Sequence, residues 1–236
     1  MRLAEKILDT ILPPTCLGCR EIMMTPAGLC PDCWSKLTFI TDPLCNSCGN
    51  PFEIDVEGEL ECGFCIQNPP VFDTHRSCFV YDEGIKRLIL PFKHNDFLFP
   101  LPLFRKWLNL VTTELVTSET LLMPVPLHWT RQLYRGYNQA TLLALELRKS
   151  SGAKVITNVL KRQARTSAQK GKSRDQRLQN VNKAFALKNS HLIEDKPILL
   201  VDDVFTTGAT VGSCAKILKD AGAQRVDVVT LAKVVY

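Results

Sequence analysis

Residues 198–210 constrain the fold of this chain more than any other segment. An apolar run, 198–201, ends in the adjacent acids Asp202 and Asp203, and a threonine-rich loop then leads into a helical pattern. Carboxylates at a strand end can accept hydrogen bonds from neighbouring sugar hydroxyls, and the N–H groups of a loop that opens a helix favour phosphate. The segment therefore predicts a site for a ribose 5-phosphate.

The loop supplies both amides and hydroxyls for that phosphate. The candidate residues are Thr206, Thr207, Gly208, Ala209 and Thr210. Acids at a strand end also occur in parallel-sheet proteins that have no such site. The segment also resembles the acid-bearing strand of a nucleotide hydrolase, but such an enzyme needs a P-loop of the form Gly-x4-Gly-Lys-Ser/Thr. The segment from Gly171 to Ser173 does not complete that pattern, because the position of the first glycine is Thr166.

Strand and helix patterns alternate through residues 71–236, which predicts an α/β domain with a mainly parallel sheet flanked by helices. Strands are expected at 77–81, 121–126, 154–160, 184–187, 197–201 and 226–231, and helices at 84–90, within 97–116, at 139–149 and from 209 to 222. Ligands of such sheets bind at the carboxyl ends of the strands, where Asp202 and Asp203 fall. Residues 1–70 are expected to form a separate small module.

Cysteines dominate that module, because eight of the ten in the chain form four Cys-x-x-Cys pairs. The pairs are Cys16/Cys19, Cys30/Cys33, Cys45/Cys48 and Cys62/Cys65. Each pair can place two thiolates on one zinc ion, and two pairs complete a tetrahedron. We predict two structural zinc ions, with redox dithiols as the alternative. Sequential pairing gives two successive zinc ribbons, and an interleaved cross-brace fits the same spacing.

The net charge of +5 is unevenly distributed. Residues 1–70 hold 4 Lys+Arg and 10 Asp+Glu, so the other 166 residues carry the positive excess. A basic segment at 161–177 is a solvated loop, a lid over pyrophosphate or a track for nucleic acid. Its basic residues are Lys161, Arg162, Arg165, Lys170, Lys172, Arg174 and Arg177. The acidic module is a poor match for a phosphate backbone and is expected to serve as a scaffold or docking surface.

No run approaches the roughly 18–20 apolar residues of a membrane span. Charges interrupt residues 1–10, which favours a short amphipathic helix over an export signal. The sequence therefore predicts a cytoplasmic protein without membrane insertion.

Residues 198–210 resemble the signature of type I phosphoribosyltransferases, which bind 5-phosphoribosyl 1-pyrophosphate (PRPP). Together with the four cysteine pairs, they resemble the ComF/GntX family of competence-associated, phosphoribosyltransferase-like proteins. Further segments that match this family, in its order, are Tyr81-x-x-Gly84, Phe92-Lys93, Pro124-Val125-Pro126-Leu127, Arg135-Gly136-Tyr137-Asn138-Gln139, Arg165-Thr166-x-x-Gln169, Arg177-x-x-Asn180-Val181 and Phe185. The resemblance covers almost the whole chain.

The resemblance implies a role for each part of the site. Asp202 and Asp203 would hold the ribose 2′- and 3′-hydroxyls, and residues 206–210 the 5′-phosphate. Magnesium would bridge the pyrophosphate and the ribose hydroxyls, with Arg131 or Arg135 near the pyrophosphate.

The resemblance also implies a PRPP-binding protein that serves DNA uptake or use of external DNA. Single-stranded DNA and a competence helicase or motor protein are the implied partners. One alternative is an active phosphoribosyltransferase of nucleotide metabolism or salvage. Thr206 stands where 6-oxopurine transferases carry an aspartate, which disfavours a hypoxanthine or guanine acceptor. Another alternative is an inactive module that binds DNA or a motor protein.

Overall fold

A computed structural model describes residues 13–23, 28–53, 58, 60–94, 97–127, 136–162 and 185–235. The strands in these ranges are β1 (His75–Val80), β2 (Leu121–Pro124), β3 (Lys154–Val155), β4 (Leu160–Arg162), β5 (Phe185–Leu187), β6 (Pro197–Phe205) and β7 (Arg225–Lys233). The helices are α1 (Pro31–Trp34), α2 (Gly63–Gln67), α3 (Glu83–His94), α4 (Leu101–Thr112), α5 (Gln139–Ser151) and α6 (Ala209–Asp220), with a 3₁₀ turn at Ser190–Leu192.

Five strands form one sheet in the order β1-β7-β6-β2-β3, and all neighbours are parallel. Side chains of β6 alternate between its two faces. Leu199 and Val201 pack in the core formed with α3, α4 and α5, whereas Ile198 and Leu200 pack in the core formed with α6. A strand buried on both faces explains the unbroken apolar run. The predicted α/β class, with a mainly parallel sheet flanked by helices, is confirmed.

Strand β6 is longer than the sequence predicts, because it continues from residue 201 to Phe205. The pairing partners explain the difference. Strand β2 stops where Pro124 pairs with Val201, but β7 continues beside β6 up to the pair of Phe205 with Lys233. Asp202 and Asp203 therefore lie within the strand, beyond the end of its β2 neighbour.

The other expected elements are present, with one division. The expected strand region 154–160 is split between β3 in the sheet and β4, which pairs antiparallel with β5. The expected N-terminal helix and residues 163–177 of the basic segment lie outside the described residues.

The cysteine-rich region packs along the edge of the sheet. Phe39 forms an antiparallel bridge with Phe79 of β1, and the Ile40 amide donates to the Cys78 carbonyl oxygen at 3.0 Å. The Val80 amide in turn donates to the Thr38 carbonyl oxygen at 2.9 Å. These contacts cover an edge strand that would otherwise expose unpaired backbone groups. The division at residue 70 stays a prediction, and the two parts share this interface.

Across the described ranges, we find no helix with the length and apolar character needed to cross a bilayer.

Candidate functional site

The order in which strands are added to the sheet reverses between the neighbouring strands β2 and β6. From β2 the chain proceeds to β3 on one side, and from β6 it proceeds to β7 on the other. The loops that leave two such neighbouring strands diverge, and this opens a crevice at their carboxyl ends where open α/β sheets bind ligands. The topology therefore places Asp202, Asp203 and the loop 206–208 beside that crevice.

The two adjacent acids have different surroundings. Asp203 forms an ion pair with Lys93, with 3.0 Å between its Oδ1 and the lysine Nζ. Asp202 accepts the Asp203 amide through Oδ1 at 2.9 Å. Burial, and next the charge of Asp203, raise the pKa of Asp202 to about 7. Near neutral pH the Asp202 carboxyl can therefore either accept or donate a hydrogen bond, which suits a partner with hydroxyl groups.

Lys93 was not among the site residues predicted from the sequence. It lies near the end of α3, and its carbonyl oxygen accepts a hydrogen bond from Nε2 of Gln139 at 3.2 Å. The hydroxyl of Tyr137 donates to the Phe92 carbonyl oxygen at 2.7 Å. The segment 137–139 thus ties the end of α3 to the start of α5 and holds Lys93 near the acids. Both segments appeared in the sequence only as family matches, because no local pattern pairs residues so distant along the chain.

The loop after β6 leaves backbone donors available. Within the described part of the chain, the amides of Thr206, Thr207 and Gly208 have no protein acceptor. Gly208 is the N-cap residue of α6, with a φ of 73° in the left-handed region that favours glycine. Free amides at the start of a twelve-residue helix form an anion-binding arrangement. Thr206 and Thr207 are exposed, so a ligand can reach them.

Two residues of the basic segment 161–177 lie on β4. The positive charge of Arg162 is among the influences that lower the pKa of Asp202, so Arg162 acts on this carboxyl electrostatically. Lys161 is its exposed neighbour. The remaining predicted basic residues lie outside the described residues: Arg131, Arg135, Arg165, Lys170, Lys172, Arg174 and Arg177. Their roles at the site stay predictions.

The eight paired cysteines form two clusters. The first contains Cys16, Cys19, Cys30 and Cys33, and the second contains Cys45, Cys48, Cys62 and Cys65. Within each cluster the sulfur atoms all lie within 4.8 Å of one another. The grouping follows the sequential pattern.

The sulfur spacing fits zinc. A Zn–S bond of about 2.3 Å in tetrahedral geometry separates two sulfur atoms by about 3.8 Å. The structure gives 3.7 Å between the sulfurs of Cys19 and Cys30, and 3.7 Å between those of Cys48 and Cys62. Backbone amides also point at the sulfurs, as where the Cys62 amide donates to Cys45 Sγ at 3.3 Å. Four thiolates around one centre form a closed structural site.

Comparisons with known proteins agree with both halves of this architecture. A double zinc ribbon domain matches residues 7–66, and a phosphoribosyl transferase domain matches residues 133–234.

Three relatives match over most of their length. Competence protein F of Haemophilus influenzae is 33% identical over 92% of this chain and 96% of its own. Competence protein ComFC of Streptococcus pneumoniae is 30% identical over 87% of each chain. DNA utilization protein YhgH of Escherichia coli is 28% identical over 94% of this chain and 98% of its own. With two cysteine clusters ahead of a parallel sheet and such relatives along nearly its full length, the chain belongs to the ComF/GntX family of competence-associated, phosphoribosyltransferase-like proteins.

Proposed function

We propose that this chain binds PRPP together with Mg²⁺ at the carboxyl end of β6, and that it serves DNA uptake or the use of external DNA. One observation carries the first part: an acid pair and a helix-opening loop with unpaired amides lie together at the switch point of a parallel sheet. The relatives' names, which refer to competence and DNA utilization, support the second part.

The chemistry of PRPP is complementary to the residues present. The amides of Thr206, Thr207 and Gly208 would donate to an anion such as the 5′-phosphate, and Asp202 and Asp203 would offer acceptors to two adjacent hydroxyls. Lys93 adds a positive charge next to the acids, where the diphosphate on C1 would come close to them. Mg²⁺ needs few protein ligands when a phosphorylated ligand supplies oxygens, so an acid pair is a sufficient protein contribution.

The acid pair provides the test. In the Asp202→Asn, Asp203→Asn double variant, hydrogen bonds to hydroxyls would involve neutral amides, and the attraction for Mg²⁺ would be lost. We expect calorimetric titration with PRPP and Mg²⁺ to show an affinity at least about 100-fold lower than that of the wild type, since bonds to charged groups contribute about 1.5–3 kcal/mol each.

Asp220→Asn is the matched control for this experiment. Asp220 is an exposed acid on α6 that pairs only with Lys216 among the described residues, at 3.1 Å. Its variant should bind PRPP like the wild type, and circular dichroism should show all three proteins folded alike. Unchanged affinity in the double variant, or no binding of PRPP to the wild type, would refute the proposed ligand.

The same preparations separate the alternatives. Pyrophosphate release with a panel of acceptor bases identifies an active transferase, for which Thr206 disfavours hypoxanthine and guanine. Binding of single-stranded DNA across a salt series, with and without PRPP, reports on direct DNA contact, because each phosphate contact steepens the salt dependence. The positive excess beyond residue 70 favours such contact.

A further inference from the structure

We propose that the second zinc ribbon, built around Cys45, Cys48, Cys62 and Cys65, positions the phosphate loop 206–208. A line of side-chain contacts runs from the Cys48 carbonyl through His75 and Phe205 to Gly208. Zinc in this ribbon and an anion on the loop would then stabilise each other. The inference deepens the proposed function, but the contacts themselves need no ligand.

The first link joins the ribbon to β1 and β7. The carbonyl oxygen of Cys48 accepts a hydrogen bond from Nδ1 of His75 at 2.9 Å and another from Nζ of Lys233 at 2.6 Å. His75 is fully buried, and its Nε2 lies 3.0 Å from the hydroxyl of Thr230 on β7. With both ring nitrogens in hydrogen bonds, the imidazole has one orientation, set in part by a zinc-binding residue.

The second link joins that imidazole to the end of β6. The rings of His75 and Phe205 are stacked, with 4.1 Å between their centroids and 19° between their planes. Nζ of Lys233 lies 5.0 Å from the centroid of the same Phe205 ring. The two groups that bind the Cys48 carbonyl therefore also contact Phe205.

The third link joins Phe205 to the phosphate loop. A Cβ atom placed on Gly208 would lie 2.7 Å from Cζ of Phe205, so the ring packs directly against the glycine backbone. Gly208 caps α6 in a left-handed conformation, and this conformation orients the neighbouring free amides. A change in the position of the Phe205 ring is thus transmitted to the amides that would hold the phosphate.

In the described residues, we find no comparable line of side-chain contacts from the first ribbon to the loop 206–208. The first ribbon's neighbours are the start of α3 and apolar side chains: Gly18, Leu29 and Cys33 face Gly84 and Leu88 across a narrow gap. Because binding free energies are reciprocal, a ligand on the loop should protect the thiolates of the second cluster and leave those of the first unchanged. The first cluster is therefore an internal control in every sample.

Phe205→Leu tests the route, and Phe39→Leu is its matched control. Phe39 also lies where the cysteine-rich region meets the sheet, but it packs against Phe79, with ring centroids 4.6 Å apart, away from this line of contacts. The full chain loaded with zinc is exposed to a thiol-alkylating reagent, and mass spectrometry follows each cysteine. Hydrogen exchange of the peptide containing residues 206–210 is followed in parallel.

We expect Phe205→Leu to accelerate both the alkylation of the second cluster and the exchange of the loop amides by about fivefold or more, which is the lower end of typical site-to-site coupling. Phe39→Leu should leave both rates at wild-type values. His75→Gln removes the stacked ring but keeps a donor for the Cys48 carbonyl, so it provides a second, milder variant if Phe205→Leu folds poorly. Wild-type rates in both His75→Gln and Phe205→Leu would overturn the proposal.

A ligand arm separates this proposal from the proposed function. Saturating PRPP with Mg²⁺ should slow alkylation of the second cluster in the wild type by about fivefold and leave the first unchanged. Absence of PRPP binding would overturn the ligand assignment, while the variants would still decide the coupling. Binding with equal protection of both clusters, or of neither, would overturn the coupling.

Discussion

The two zinc ribbons contact the sheet domain by different kinds of interaction. The first ribbon uses apolar and close-packed contacts: Leu17 is buried in the core that contains α3 and α4, and the guanidinium of Arg20 lies 3.8 Å from the centroid of the Phe97 ring. The second uses hydrogen bonds. The Ser47 carbonyl oxygen accepts the His75 amide at 2.8 Å, and the Asn46 carbonyl oxygen accepts from Nη1 of Arg76 at 3.0 Å.

This difference indicates a division of tasks. Apolar burial is non-directional, so it contributes stability while tolerating small shifts. Hydrogen bonds weaken steeply when their geometry changes, so a ribbon attached by them fixes the position of its neighbours. The ribbon with directional contacts is the one whose Cys48 carbonyl binds His75 and Lys233, and both of these side chains contact Phe205 at the end of β6. We therefore infer that the first ribbon mainly supports the fold and the second mainly positions the site.

The largest effect is expected from removing one zinc ligand in each ribbon. Structural zinc stabilises zinc-finger peptides by about 10–16 kcal/mol, which matches or exceeds the net stability of about 5–15 kcal/mol of a typical domain. Cys33→Ser and Cys65→Ser should each bind one zinc ion instead of two by elemental analysis, and the affected ribbon should lose its hydrogen-exchange protection.

The loop amides then distinguish the two ribbons. Cys65→Ser should accelerate exchange in the peptide containing residues 206–210, and Cys33→Ser should leave that peptide near the wild-type rate. Cys214→Ser, at a buried cysteine outside both clusters, controls for the loss of a thiol. Equal acceleration in both zinc-ligand variants would break the comparison.

A smaller loss of stability is expected at the contact between Lys36, which follows the first ribbon, and Gly84 of α3. A Cβ atom on Gly84 would lie 1.9 Å from the carbonyl oxygen of Lys36, so an alanine forces these two backbones apart. We expect Gly84→Ala to lower the free energy of unfolding by about 1–3 kcal/mol, as overpacking does. Gly212→Ala is the matched control, because Gly212 also lies in the first turns of a helix and a Cβ there meets nothing within 4 Å.

Denaturant titration measures both glycine variants. Gly212→Ala should be neutral or stabilising by up to about 1 kcal/mol, because alanine favours helix. If Gly84→Ala is as stable as the wild type, the two backbones are not held in close contact. The first ribbon would then lack the tight packing that the comparison assigns to it.

The sequence predicts the sheet well because the signal there is local. The run 198–201 is buried on both faces of one strand, and that burial is what its unbroken hydrophobicity indicates. The end of β6 was placed too early because it depends on pairing: β7 continues beside Val204 and Phe205, and nothing near residue 205 reports this. The cysteine clusters were predicted because ligand spacing lies within each pair.

Contacts across long sequence distances were beyond sequence reasoning. Lys93 and Asp203 are 110 positions apart and form an ion pair only because α3 ends beside β6. The stacking of His75 on Phe205 likewise depends on the arrangement of β1, β7 and β6 in the folded sheet. Residue identity gives no indication of either partner, so both contacts become visible only in the folded chain.

An effect of similar size concerns the acid pair and its cost to stability. Burial and the charge of Asp203 raise the pKa of Asp202 to about 7, above its usual value. Between about pH 4 and pH 7, the folded chain therefore keeps a proton that the unfolded chain has already released. It follows that this carboxyl favours the folded state at low pH and that its contribution is lost as pH rises through 7.

Asp202→Asn removes that dependence, because asparagine does not titrate. Relative to the wild type, the variant should gain about 2 kcal/mol in unfolding free energy between pH 5 and pH 8. Each unit of pKa displacement corresponds to about 1.4 kcal/mol, and because Asp202 and Asp203 titrate as a pair, removing Asp202 alone recovers only part of the total. Urea denaturation of both proteins at the two pH values measures it. Both proteins carry the same cysteines, so any effect of pH on zinc cancels in the difference.

Combining this variant with the cysteine substitutions makes the comparison between the ribbons sharper. If the second ribbon holds the strand ends in place, Cys65→Ser should let Asp202 relax toward water and shrink the gain from Asp202→Asn, whereas Cys33→Ser should leave the gain intact. A gain that is equal in both cysteine backgrounds would mean that the second ribbon does not constrain the acid pair, and the division of tasks would then rest on the phosphate loop alone.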